Sequence, residues 1–167
     1  MLVPPSKPSL IGECPWYAKN RAAEIITELY NNGSLTDTQY NKYLKRVKTT
    51  SGDGGTFYPG GAADNGYNGS TNIEDLRAGS FIGMSSQKSA AGKKYGHVAI
   101  VEYVSEDLIV ITEGWRLKKP QTYCSSYSDF SCVEFRHKTF NSYQEFYNYY
   151  HDPNGYMMKG YLYFLED

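Results

Sequence analysis

The chain has 167 residues, of which 40% are hydrophobic and 21% charged, and its formal net charge is −1. This composition predicts a folded domain with its own core rather than a disordered chain. The near-neutral charge argues against nucleic-acid binding, and no apolar run is long enough to cross a membrane. We therefore expect neither nucleic acid nor a membrane as a partner, and we expect a monomer.

The first predicted element is a helix that begins at Cys14. Apolar residues recur at helical spacing from Tyr17 to Leu29, Pro15 suits a first helical turn, and Gly33 is a natural stop. The partial positive charge of a helix N-terminus favours a thiolate over a thiol. Cys14 is therefore a candidate nucleophile, while the alternative is a small, buried apolar group.

A second helix is predicted from Thr36, with Gln39 in place for a capping box, to about Lys48. Residues 50–72 then hold seven glycines and show no periodicity. Long irregular segments of this kind form the wall or lid of a site, or a floppy surface insertion. Aromatic side chains in such a loop need a partner, so we predict that Phe57, Tyr58 and Tyr67 contact the substrate at the rim of a cleft.

The second half of the chain is predicted to form a sheet. β-Branched and apolar runs occupy residues 80–84, 96–104 and 108–114, and similar runs lie within 132–140 and 156–165. A short helix capped by Ser142 separates the last two runs. The predicted fold is α+β, with N-terminal helices packed on an antiparallel sheet. We expect residues 1–167 to form a single domain, either a whole protein or one cut from a longer chain.

The chain has three cysteines, Cys14, Cys124 and Cys132. An odd number leaves at least one outside any intramolecular pair. Cys124 and Cys132 flank a turn-rich segment across which they could form a disulfide, and Cys14 would then be the lone thiol. No cysteine or histidine cluster has metal-ligand spacing, so we expect no metal and no other cofactor.

A nucleophilic thiol needs a base, and the base needs a group that orients it. His97 opens the most apolar predicted strand, and small Ala99 leaves space beside it. Glu113 closes the next strand, which is otherwise apolar. Taken singly, His97 could be a structural histidine and Glu113 a solvated carboxylate at a strand end. Together with Cys14 they predict a catalytic triad.

Whether Glu113 can reach His97 depends on the loop between their strands. With a two-residue loop, Glu113 lies opposite Ile100 and faces away from His97. With a three-residue loop, Glu113 lies opposite Ala99, on the face of His97 and diagonal to it. We therefore predict that the triad requires the loop of odd length.

Three stretches carry these candidates: GECPWYA holds Cys14, GHVAIV holds His97 and ITEGW holds Glu113. In these stretches, and in its closing KGYLYFL, the chain resembles the CHAP family of cysteine, histidine-dependent amidohydrolases and peptidases. The resemblance implies a papain-like α+β fold in which Cys14 is the nucleophile, His97 the base and Glu113 its orienter. It also implies bacterial peptidoglycan as the substrate, cut at an amide or peptide bond at the cell wall.

The chain departs from the family pattern at Trp115, because many members carry an asparagine there. In the odd-loop register Trp115 would lie opposite His97 and shield the ion pair, and we count it among the substrate-contacting candidates. Some members bind calcium just before the cysteine, where this chain offers only Glu13. Two other functions stay open: a papain-like peptidase or amidase acting on another substrate, and a binding domain without activity.

Overall fold

The computed structural model describes residues 14–58, 60, 65–117 and 133–166, with the backbone alone at 115–117 and 133–134. Both N-terminal helices are confirmed. Helix α1 (Cys14–Asn31) is followed by Gly33 at a φ of +80°, a conformation that glycine adopts without strain. Helix α2 (Asp37–Thr49) begins after Thr36, which forms the predicted capping box with Gln39.

Six strands form one antiparallel sheet in the spatial order β1-β6-β2-β3-β4-β5. The strands are β1 (Asn68–Ser70), β2 (Ser80–Ser86), β3 (His97–Val104), β4 (Ile109–Leu117), β5 (Val133–Phe140) and β6 (Tyr156–Tyr163). Two short helices, α3 (Ala90–Tyr95) and α4 (Tyr143–Tyr150), connect β2 to β3 and β5 to β6. The α+β prediction is confirmed, but α3 and the short strand β1 were not predicted, because neither has a readable periodicity.

The sheet has a core on each face. On the face covered by α1 and α2, which we call the α1 face, Val98 and Ile100 of β3 pack with Ile26 and Val47. On the opposite, α4 face, Ala99 and Val101 of β3 pack with side chains that include Phe146 and Tyr150 of α4. This alternation, expected for a strand buried on both sides, puts His97 on the α4 face.

A β-bulge sets the register between β3 and β4. Near the loop Val104 pairs with Ile109, as a two-residue loop requires, but beyond the bulge at Glu102 the register moves by one residue and Ile100 pairs with Thr112. Continued along the strands, this register sets Glu113 opposite Ala99. The prediction that the triad requires an odd-length loop is therefore wrong, because the extra residue lies in β3 rather than in the loop.

Parts of the glycine-rich segment are built into the core. A 3-10 turn at Gly54–Thr56 leads to Phe57, which is buried against Phe81, and Tyr67 is buried with its hydroxyl bonded to Thr50. The prediction that Phe57 and Tyr67 line a cleft rim is corrected here, since a buried ring cannot contact substrate while the core is closed. Tyr58 is half-buried against the same core.

Candidate active site

The three predicted triad residues meet at one end of the sheet. Cys14 is the first residue of α1, His97 the first of β3, and Glu113 the middle residue of β4. Helix α1 approaches β4 closely at Gly114, where a Cβ atom would lie 2.6 Å from Tyr17 Cβ and 3.5 Å from Cys14 Cα. The lack of a side chain at Gly114 therefore lets the N-terminus of α1 settle beside the strand that carries Glu113.

His97 bridges the other two residues. Its Nε2 lies 2.5 Å from Glu113 Oε2, and its ring also makes a hydrogen bond with the Cys14 side chain. Because Nε2 faces the carboxylate, Nδ1 is the nitrogen left for the thiol. His97 is 8% exposed and Glu113 is fully buried, whereas Cys14 is partly exposed. The thiol is thus the member of the three that solvent and substrate can reach.

The electrostatics favour the charged form of the pair. Burial alone would lower the pKa of His97, but hydrogen bonds with Cys14 and Glu113, and their charges, outweigh burial and raise it to about 9. Burial alone would raise the pKa of Glu113, but its contact with His97 and the charge of Lys138 lower it to about 2. At neutral pH the pair is therefore an imidazolium beside a carboxylate.

Two further side chains contact the His97–Glu113 pair, and neither was predicted. Lys138 Nζ on β5 lies 2.5 Å from Glu113 Oε1. The ring of Tyr156, at the start of β6, stacks on the His97 ring with their centroids 5.4 Å apart. Lys138 could have been predicted only from the pairing of β4 with β5. In that pairing Arg136 lies opposite Glu113, and Lys138, two residues further along β5, is on the same face of the sheet. That pairing cannot be read from the order of the strands alone.

A family model, the CHAP domain, matches residues 5–114, which is most of the chain and includes Cys14, His97 and Glu113. The chain belongs to the CHAP domain family. CHAP domains are amidohydrolases and peptidases, and they often act on peptidoglycan. No curated protein and no solved structure gives a significant match to the chain. Lys138 and Tyr156 lie beyond the residues that the CHAP model matches.

Trp115 and Tyr58 are the two other residues predicted to contact the substrate. Trp115 has backbone in β4, between Gly114 and Arg116, where the pairing with β5 is irregular; its side chain lies outside the described part of the structure, as do Cys124 and Cys132. Tyr58 packs against Gly83 and Gly160.

An exposed aromatic side chain that the sequence analysis did not select lies beside α1. Phe135 on β5 is 47% exposed, and its ring stacks on Tyr17 with the centroids 6.0 Å apart. Phe135 pairs opposite Gly114, so it shares the α1 face with Cys14. Phe135 therefore presents an exposed aromatic ring on the α1 face, where Phe57 and Tyr67 are buried.

Neither a metal centre nor a membrane span is present in the part of the chain that the structure describes. Within residues 14–58, 60, 65–117 and 133–166, no group of three or more His, Cys, Asp or Glu side chains is placed to hold a metal ion. None of the helices over the same residues combines the length and apolar character that a membrane span needs.

Proposed function

We propose that this CHAP domain is a peptidoglycan hydrolase that cleaves an amide or peptide bond through a covalent thioester. The observation that carries the proposal is the placement of His97, which contacts both the Cys14 side chain and the buried carboxylate of Glu113. A nucleophile, a base and a group that orients the base are the parts that acyl transfer by a thiol requires. No cofactor takes part in this chemistry.

In the proposed reaction the Cys14 thiolate attacks the carbonyl carbon and forms a tetrahedral oxyanion. In this proposal the backbone N–H of Cys14 helps to stabilise that oxyanion, because Cys14 is the first residue of α1 and a helix N-terminus carries partial positive charge. The His97 imidazolium gives its proton to the leaving amine, and a thioester remains on Cys14. Neutral His97 then takes a proton from water, the resulting hydroxide attacks the thioester, and the carboxylic acid and the free enzyme are released.

Peptidoglycan is proposed as the substrate because members of the family often act on it. Exposed Phe135, which stacks on Tyr17 three residues after Cys14, offers an apolar surface on which a peptide stem or a sugar ring could pack. The protein would act as a monomer at the bacterial cell wall, without nucleic acid and without a membrane partner.

The first experiment compares the protein with its Cys14→Ala variant on purified peptidoglycan sacculi of several cross-link types. We expect the protein to release soluble fragments and the variant to release at least about 1000-fold less, because the nucleophile is lost. Mass spectrometry of the new termini would identify the bond that is cut. A matched variant, Cys14→Ser, separates loss of the thiolate from loss of side-chain volume.

Two results would contradict the proposal. Release from a protein substrate but from none of the sacculi would point to a peptidase with another target. No hydrolysis of any substrate, together with Cys14 alkylation no faster than that of a free cysteine, would leave a binding domain on this fold.

A further inference from the structure

Both oxygens of the Glu113 carboxylate are held, although the residue is fully buried. Oε2 faces His97 Nε2 at 2.5 Å, and Oε1 faces Lys138 Nζ at 2.5 Å. A buried carboxylate with a single charged partner would be free to turn about its bond to the side chain, and would be costly to keep ionised. The second ion pair removes that freedom and compensates the buried charge.

Lys138 is itself fixed by aromatic rings. It donates a hydrogen bond to the Tyr149 hydroxyl, and its ammonium nitrogen lies 4.3 Å from the centre of the Tyr149 ring and 5.3 Å from that of Tyr156. Only 18% of its side chain is exposed. Tyr156 also stacks on His97. The contacts therefore close a ring of residues, from His97 through Glu113 and Lys138 to Tyr156 and back to His97.

We propose that Lys138 is a positioning residue for the reaction: its ammonium group keeps Glu113 ionised and turned toward His97, so that His97 stays aligned with Cys14. The inference rests on the proposed function. Lys138 reaches the carboxylate oxygen that His97 does not use, and it does so from β5, a strand beyond the part of the chain that the family model matches.

The charged and titratable groups around Glu113 come from every element packed against it. Burial and the charge of Glu113 raise the pKa of three tyrosines nearby, which are therefore neutral, so the cations balance the carboxylate. The full set of charged and titratable groups around Glu113 is His97 from β3, Arg136 and Lys138 from β5, Tyr149 and Tyr150 from α4, Tyr156 from β6 and Cys14 from α1.

Lys88 provides a matched control for Lys138. Its ammonium nitrogen lies 3.3 Å from the Tyr149 hydroxyl, 4.6 Å from the Tyr149 ring centre and 4.4 Å from that of Tyr156. The two lysines thus share the same aromatic contacts. Of these two described side chains, only Lys138 lies within ion-pair distance of Glu113. A difference between their variants therefore reports the ion pair rather than the packing on the rings.

The test is the rate of Cys14 alkylation by iodoacetamide as a function of pH, followed by mass spectrometry of the Cys14 peptide so that Cys124 and Cys132 do not contribute. Removing a cation from a carboxylate raises the pKa of the acid by about 1 to 3 units. The compared quantity is the pH at which the alkylation rate reaches half its maximum on the acid side, which we call the midpoint. In Lys138→Met we expect this midpoint to rise by about 1 to 3 pH units. Lys88→Met should leave the midpoint unchanged. Lys138→Arg keeps the positive charge, so its midpoint should lie close to that of the unmodified protein.

The outcomes separate this inference from the proposed function. Fast alkylation of the unmodified protein with equal midpoints for Lys138→Met and Lys88→Met would overturn the role of Lys138 alone. Slow alkylation of the unmodified protein would overturn both. Lys138→Gln is measured in parallel, so the test does not depend on the folding of one variant. In a Glu113→Gln background, Lys138→Met should have no further effect, and an undiminished effect would also overturn the inference.

Discussion

Gly54 lets the glycine-rich segment lie directly against the backbone of His97. A Cβ atom at Gly54 would be 2.5 Å from the His97 carbonyl carbon and 2.6 Å from its Cα. Both are backbone atoms, so no side-chain rotation relieves the contact. Lys159 anchors the same segment by donating a hydrogen bond to the Gly55 carbonyl at 2.7 Å. The segment that was predicted to form the rim of a cleft instead packs against the backbone of His97 and helps to hold it in position.

We predict that Gly54→Ala displaces His97 and lowers kcat/KM on the order of 100-fold, which is the cost of misplacing a catalytic group by about 1 Å. The Cys14 alkylation rate should fall with it, while circular dichroism shows that the fold is kept. Gly60→Ala is the control in the same segment, because a Cβ atom there meets no atom of the described residues within 4 Å. Equal activity of the two variants would refute the support role.

The bulge residue Glu102 ties the strand of the base to the helix of the nucleophile. Its carboxylate accepts hydrogen bonds from Arg21 Nε at 2.8 Å and Arg21 Nη2 at 3.0 Å, and from Thr112 Oγ1 at 2.6 Å. Arg21 belongs to α1 and Thr112 to β4. One side chain thus connects the three elements that carry Cys14, His97 and Glu113, at the point where the register changes.

We predict that Glu102→Gln lowers the free energy of unfolding by about 1.5 to 3 kcal/mol, the range for hydrogen bonds to a charged group. Urea denaturation measures the change. The comparison variant is Glu166→Gln, which removes a carboxylate from the exposed ion pair with Arg77, where the Arg77 side chain is 54% exposed. Exposed pairs contribute about 0 to 1 kcal/mol. If both variants lost a similar amount of unfolding free energy, the hydrogen bonds of Glu102 would stabilise the fold no more than an exposed ion pair does.

The sequence was sufficient to predict the longer helices and strands but not how their side chains meet. Helical spacing and the Thr36 capping signal predicted α1 and α2, and alternation placed His97 on the correct face of β3. Strand alternation cannot reveal a bulge, because the extra residue at Glu102 changes pairing without changing composition. The partners of Lys138 depend on which strand lies beside β4, and that is decided by packing across the whole sheet.

Burial was misjudged for a similar reason. Phe57 stands among glycines, and the composition around it is typical of an exposed loop. In the structure the glycines allow close approach to β2 and β3, and Phe57 fills the space against Phe81. Local composition describes the backbone of such a segment, whereas the burial of a large side chain within it depends on a core formed by distant residues.

The stability of the whole protein should depend on pH through the His97–Glu113 pair. The pKa of His97 is raised from 6.5 to about 9, so its contribution is fully present below pH 6.5 and is lost as the pH rises toward 9. The pKa of Glu113 is lowered from 4.5 to about 2, so its contribution is present above pH 4.5 and is lost as the pH falls toward 2. The pair therefore stabilises the fold most between these limits.

We predict that the difference in unfolding free energy between the protein and its His97→Gln variant is largest between pH 4.5 and 6.5. Above pH 6.5 it should fall by up to about 1.4 kcal/mol per pH unit, the slope for one proton. Urea denaturation at intervals from pH 5 to 9 tests this, with ionic strength held constant. A difference that does not change over the range would show that His97 is not held as a cation.

The position of β6 in the sheet bears on when this protein can fold during its synthesis. Among the six described strands, β6 comes last along the chain, yet it lies between β1 and β2, which come first. A nascent chain that ends at residue 114 already contains Cys14, His97 and Glu113, but it lacks the strand that joins β1 to β2 and the lysine that holds Glu113. The sheet can close only after residue 163 has left the ribosome. Translation thus delivers the thiol, the base and the carboxylate well before the strand and the lysine that complete the site around them.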